Sequence, residues 1–352
     1  MVICYIDDCI FFAPSEEELI SNVRDLASFI GLAVAAEPAV DLAPVRYKYL
    51  EIIRNRELAR HQGDYAARVS LDEHAKELVL WWDNNVPLQS KSLRSSSPDL
   101  ELFADACLTG WGAIVGSVAS GGSWAHAELD HINCLELRAI LLGLQSLCKN
   151  VSNAHIRLRS DNTVAVACLN RSGSTKIRLN FLIEEIYAWA GSRGLTLSAA
   201  HVKGTQNVEA DSLSRLKNLD TEWMLDPLVF RRLCDMFYVP DIDLFASRLN
   251  AQVATYVSWK PDPAATFVDA FSINWADRTS YAFPPFSLIA RVLRKLQEDR
   301  ASLIAILPLW PSQAWFPGPF SFLFSHQSSS LASLCHYRRT LLTSTRGPGL
   351  WC

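Results

Sequence analysis

Four carboxylates lie along the middle of the chain: Asp105 and Asp161 at the ends of predicted strands, Glu136 opening a helix and Asp211 within the last helix. Four such groups drawn to one point repel one another strongly unless a cation compensates. Hard oxygen ligands select magnesium or manganese. Two such ions roughly 3.5–4 Å apart activate water and stabilise a leaving oxygen, which is the chemistry of phosphodiester hydrolysis. Each acid also has a plainer reading. Glu136 follows Asn133 by three residues and can complete a capping box, and Asp161 beside Asn162 can cap a helix. Asp105 can be a turn residue, and Asp211 a solvated helix residue. Their order, each on the correct kind of element, sets the metal reading above these.

The elements that must position them follow from hydrophobic spacing. Residues 100–104 predict a strand reaching Asp105, with further strands over 110–116 and 123–128. A helix over 133–149 places Leu137, Ile140, Leu141 and Leu144 on one face. A strand over 155–160 ends at Asp161 and helices follow over 162–170 and 177–190. A strand over 195–202 and a short helix over 208–216 carrying Asp211 close the region. Such an order makes a mixed α/β domain.

Before it, two short apolar strands over 2–13 flank Asp7 and Asp8. A capping-box pattern at Ser15 to Glu18 opens a helix ending near Gly31. Residues 46–60 read as a hairpin or irregular connection, and 71–85 as an amphipathic helix. After it, a region dense in Trp, Phe and Pro contains Tyr281-Ala-Phe-Pro-Pro-Phe286, a helix over 287–298 and a strand over 303–307. The expected organisation is 1–60, a connection over 61–98, the mixed domain over 99–217, a further domain over 220–320 and a poorly ordered tail over 325–352.

The chain of 352 residues is 49% hydrophobic and 20% charged, which excludes a disordered or collagen-like chain. A net charge of −4 argues against a polybasic nucleic-acid binder, so phosphate contacts must come from local patches. Nine cysteines, an odd count without a CxxC pair, favour reduced thiols and an intracellular setting, nucleus or cytoplasm. No apolar run is long enough to span a bilayer, and no membrane partner is expected.

The middle region resembles the type 1 ribonucleases H, in the form found in retroelements. Phe103-Ala-Asp-Ala-Cys-Leu-Thr-Gly-Trp-Gly-Ala113 is similar to the family's first strand pair, Leu135-Glu-Leu-Arg-Ala139 to its first helix and Arg159-Ser-Asp-Asn162 to its fourth strand. His201 to Asn207 and Ala210-Asp-Ser-Leu-Ser-Arg215 are similar to its end. The resemblance implies a five-stranded mixed sheet with flanking helices. It also implies cleavage of RNA paired with DNA and Asp105, Glu136, Asp161 and Asp211 as ligands of two Mg2+ or Mn2+ ions. Asn162, Asn207 and Arg215 are candidate substrate contacts, although both asparagines also suit caps. The histidine that many cellular members carry before the last Asp has no counterpart between Gly204 and Asp211.

Tyr5-Ile6-Asp7-Asp8 resembles the Tyr-x-Asp-Asp hairpin of reverse transcriptases, implying a partial palm at the amino end, with Tyr49-Leu-Glu-Ile52 at a following hairpin. The blocks 241–247, 268–271 and 281–286 resemble those after ribonuclease H in tyrosine-recombinase retrotransposons of the DIRS type. There the last block is similar to adenine-N6 methyltransferases, implying a small α/β methyltransferase-like domain with Phe283, Pro284, Pro285 and Phe286 in its base-binding loop. Phe283 stands at that loop's polar position, where its side chain cannot accept a hydrogen bond from an amine, and Phe286 suits stacking on a base but reads first as a core aromatic. Implied partners are an RNA–DNA hybrid, the rest of the polyprotein and a recombinase. With no earlier palm strand in the given sequence to supply a third Asp, purified chain is expected not to extend a primer. Templated synthesis in a primer-extension assay contradicts this.

Overall fold

The computed structural model describes residues 2–6, 9–13, 20–86, 91, 97–215, 223–308, 310 and 312–315. Asp7 and Asp8, and the expected tail over 325–352, lie outside the described residues. The chain divides into two compact units. One comprises Met1–Ser117, His126–Leu141 and Asn150–Arg215, and the other Val118–Ala125, Leu142–Lys149 and Leu216–Cys352.

The first unit opens with β1 (Val2–Ile6) and β2 (Cys9–Ala13), an antiparallel pair with Ile6 opposite Cys9. Helix α1 (Val23–Ala35) follows. Its start is set by a reciprocal capping box: the Asp25 amide donates to Asn22 Oδ1 at 3.0 Å and the Asn22 amide to Asp25 Oδ2 at 3.2 Å. The expected start at Ser15 to Glu18 lies outside the described residues, and the expected stop at Gly31 is corrected. Gly31 lies on an open face inside the helix, where its cost of about 1 kcal/mol is outweighed by burial of Phe29, Ile30 and Ala33 on either side.

Residues expected to form a hairpin or irregular connection are instead helix α2 (Ala43–Arg60). Pro44 sits in its first turn, where a missing N–H costs nothing. Tyr47, Leu50, Ile53 and Glu57 recur at helical spacing on its buried face. Glu51, expected at a hairpin, lies on this helix and pairs with Lys48 at 2.7 Å. Helix α3 (Glu73–Asn85) is capped by Asp72, which also accepts from the Tyr49 hydroxyl at 2.6 Å. The fully buried Trp82 of α3 donates its Nε1–H to the Arg46 carbonyl at 3.3 Å.

Then come β3 (Leu100–Ala106), β4 (Gly110–Val115), β5 (Val118–Ser123), α4 (Ile132–Leu147) and β6 (His155–Ser160). Helices α5 (Thr163–Asn170) and α6 (Ile177–Gly191), strand β7 (Thr196–His201) and helix α7 (Val208–Arg215) complete the series. The five strands form one mixed sheet in the order β5-β4-β3-β6-β7. Strand β3 pairs antiparallel with β4 and parallel with β6, and β6 pairs parallel with β7. The third strand, expected over 123–128, comes earlier: Gly116, at φ 57°, allows a tight reversal straight after β4. Leu102, Ala104, Ile156 and Leu158 of the central strands are buried, as are Leu137 and Ile140 of α4 and Ile183 and Ile186 of α6.

In the second unit, α8 (Pro227–Met236), β8 (Ile242–Asp243), β9 (Val257–Ser258) and β10 (Phe267–Val268) precede β11 (Thr279–Ala282), α9 (Ile289–Asp299) and β12 (Ser302–Ala305). Strands β12-β11-β8 form a parallel sheet, and β10 pairs parallel with β9. Ile242, Val257, Trp275 and Val292 lie in its core. Phe286 is corrected from core aromatic to surface: it is 40% exposed and meets Trp310 edge-to-face at 4.9 Å. Among the described residues, no helix is long and apolar enough to cross a membrane.

The helical assignment of 43–60 makes Leu50, with no exposed surface, a core residue. Leu50→Ala is expected to cost about 3 kcal/mol in urea denaturation. A cost near zero contradicts the helix.

Candidate metal centre

Strand register brings the first two carboxylates together. Phe103 of β3 lies opposite Arg159 of the parallel β6, so two residues on Asp105 and Asp161 come abreast at the carboxyl ends of adjacent strands. Glu136 reaches the same point from the second turn of α4. One carboxylate oxygen from each of Asp105, Glu136 and Asp161 lies within 4.8 Å of the others. Asp105 is 5% exposed and Glu136 4%.

The surroundings hold this arrangement. Ser160 Oγ donates to Glu136 Oε2 at 3.4 Å and accepts from the Asn162 amide at 3.0 Å. Asn162 caps α5 through bonds from the Val164 and Ala165 amides, at 3.0 and 2.9 Å, and donates its Nδ2 to Asn133 Oδ1 at 2.9 Å. The starts of α4 and α5 are thereby tied together above the strand ends. Gly204 passes close by: a Cβ there would stand 3.1 Å from Asp161 Oδ2.

Burial and mutual repulsion set the electrostatics. Desolvation, then the charges of Asp105 and Asp161, push the Glu136 carboxyl up from 4.5 to about 8. Desolvation, with the Asp161 and Asp211 charges, pushes Asp105 up from 3.8 to about 6. Three hard oxygen donors that resist being charged together fit a divalent cation, which relieves the repulsion and neutralises the buried charge. The donor chemistry suits magnesium or manganese.

The fourth acid is held differently. Helix α7 packs directly on β4 at Gly112, where a Cβ would lie 2.4 Å from the Ala210 carbonyl oxygen and 2.6 Å from Leu213 Cβ. The Cys107 thiol donates to the Ser214 carbonyl at 3.0 Å. The buried Asn207 donates its Nδ2 to the Ala104 carbonyl at 3.1 Å, tying the residue just before α7 to β3. Asp211 therefore stands beside the cluster, but its Oδ1 takes the Arg215 guanidinium, from Nε at 2.8 Å and Nη2 at 2.6 Å.

Three of the four expected acids thus converge, and Asp211 sits at the rim paired with Arg215. Of the candidate substrate contacts, Asn162 is a cap, Asn207 an internal tether and Arg215 the partner of Asp211. Sequence reading passed over Ser160, Asn133 and Gly112. A glycine inside a strand is a signal for close backbone approach that identifies Gly112. Tyr5 lies on β1, and Asp7 and Asp8 lie outside the described residues. In the second unit, Phe283, Pro284, Pro285 and Phe286 line a cleft of about 720 Å³ together with Asp269 and Arg291.

The raised Glu136 carboxyl makes stability depend on pH. Between 4.5 and about 8 the folded protein holds a proton that the unfolded chain has released, so cation-free stability falls as pH rises through that window. Glu136→Gln removes the slope between about 6 and 8, leaving the part below 6 to Asp105. In chelator, chemical denaturation is expected to show the variant more stable than the parent at the upper end of the window. Equal stability with an unchanged slope contradicts the assigned environment.

No family model matches the chain, and no curated protein matches it. Among solved structures, RNase H1 from the halophilic archaeon Halobacterium salinarum aligns at 17% identity and TM-score 0.29, over 32% of this chain and 92% of that one. LC11-RNase H1, solved in complex with RNA/DNA hybrid, aligns at 16% identity and TM-score 0.29, over 33% and 93%. The foamy viral protease-reverse transcriptase dRH, in complex with double-stranded DNA, aligns at 11% identity and TM-score 0.20, over 51% and 32%. The carboxylate geometry, and not these likenesses, carries the functional reading.

Proposed function

We propose that the chain is a divalent-cation-dependent nuclease of the ribonuclease H type, hydrolysing the RNA strand of RNA–DNA hybrids. One observation carries this reading: three acids from separate elements, Asp105, Glu136 and Asp161, converge within 4.8 Å at the ends of adjacent parallel strands. No structural need accounts for such a placement, since it burdens the fold with buried like charges.

Asp105, Glu136 and Asp161 would hold the cation, with Asp211 as a further carboxylate at the rim. Bound Mg2+ or Mn2+ supplies an activated water and stabilises the leaving 3′ oxygen of the broken phosphodiester. The chain's own residues do the positioning. Ser160 orients the Glu136 carboxylate, and the Asn162–Asn133 bond keeps α4 and α5 in place over the strand ends. The packing of α7 on Gly112 fixes the backbone that carries Asp211. Recognition of an A-like hybrid rests on 2′-hydroxyls and phosphates rather than base edges, a role open to Arg215 as an exposed cation beside the cluster.

The wider proposal is a retroelement polyprotein segment of the DIRS type. In it residues 1–60 are a palm remnant, and residues 220–320 are methyltransferase-like without methyl transfer. The β1–β2 hairpin supports the first, and the small parallel sheet with its aromatic cleft supports the second. Phe283, whose side chain offers no acceptor for an amine, supports loss of the transfer step. The partners would be the remaining polyprotein and a recombinase, and the setting intracellular.

Cleavage of a labelled RNA–DNA hybrid with Mg2+ tests the nuclease. Asp161→Asn is expected to lower the rate by roughly a hundredfold or more while circular dichroism stays unchanged. Equal rates in parent and variant contradict the assignment. No cleavage by either, with hybrid binding intact, indicates an inert nucleic-acid-binding relic.

A further inference from the structure

The fourth carboxylate does not join the other three and is held by an ion pair within its own helix. Asp211 and Arg215 lie four residues apart on α7, the spacing at which helix side chains meet. Both guanidinium contacts fall on one oxygen, Asp211 Oδ1. The backbone beneath them cannot shift far, because the Gly112 contact and the Asn207 tether seat α7 on β3 and β4. The side chains are free by comparison, at 67% exposure for Arg215 and 40% for Asp211. An exposed ion pair costs little to open. The charges of Asp211 and Arg215 both act on Asp105, with opposite effect, so the pair borders the cluster it stays out of.

A guanidinium fork fits a phosphodiester as well as a carboxylate. We propose that Arg215 is a latch on the fourth carboxylate: it keeps Asp211 away from the Asp105–Glu136–Asp161 pocket until a substrate phosphate takes the guanidinium. Asp211, released, then completes a second cation site. Arg215 is thus a positioning residue that couples the second cation to the nucleic acid. The inference rests on the nuclease reading and adds its regulation.

Mn2+ titration, read by electron paramagnetic resonance without substrate, tests it on the full chain. The parent is expected to bind one ion tightly and a second weakly. Arg215→Ala is expected to tighten the second ion about fivefold, with Arg215→Gln, which keeps much of the side chain's length, doing the same. Asp211→Asn in the Arg215→Ala background abolishes the gain. A hybrid whose RNA strand is phosphorothioate-linked, which keeps every 2′-hydroxyl and backbone charge, tightens the second ion more in the parent than in Arg215→Ala. If the parent binds one ion and both Arg215 variants leave the second unchanged, the latch is wrong while the nuclease reading stands. If the parent binds no ion, both are wrong.

Discussion

Like charges placed in a region that water barely reaches constrain everything else in the first unit. Asp105 and Glu136 are nearly inaccessible, and each is held above its ordinary ionisation range, by burial first and by its neighbours second. A fold left to optimise stability alone would remove such groups or separate them. Here two adjacent parallel strands are in register so that Asp105 and Asp161 come abreast, and α4 brings a third acid to the same point. A divalent cation held between the three carboxylates would offset that cost.

The supporting contacts follow from that requirement. Ser160 serves Glu136 on one side and the Asn162 amide on the other, so a single hydroxyl connects the end of β6, the start of α5 and the buried acid. Gly204 leaves room beside Asp161, and Gly112 leaves room for α7. Neither position accepts a side chain without displacing backbone or a carboxylate. Asp211, by contrast, is placed on a well-seated helix with a side chain that still has a choice of partner.

Much of this was legible from residue order. Strand β6 and helix α4 came out within a residue or two of their expected spans, because their apolar positions follow clean periods and each ends in polar residues. The convergence of Asp105, Glu136 and Asp161 followed from the element order. Helix α2 was missed because Tyr47, Tyr49, Ile52 and Ile53 carry strand-like side chains, and burial of the 47–50–53–57 face overrode that preference. Strand β5 was displaced because the turn at Gly116 was not recognised. The pairing of Asp211 was present in the spacing to Arg215, but a four-residue interval on a helix does not say whether the acid serves its neighbour or the pocket. That choice depends on the distance from α7 to the strand ends, which only packing sets.

Diffraction shows whether the cluster of Asp105, Glu136 and Asp161 holds a cation. Crystals grown with Mn2+ should give an anomalous-scattering peak between the carboxylates of Asp105, Glu136 and Asp161. Absence of that peak at saturating Mn2+, with the three side chains turned apart, contradicts the account.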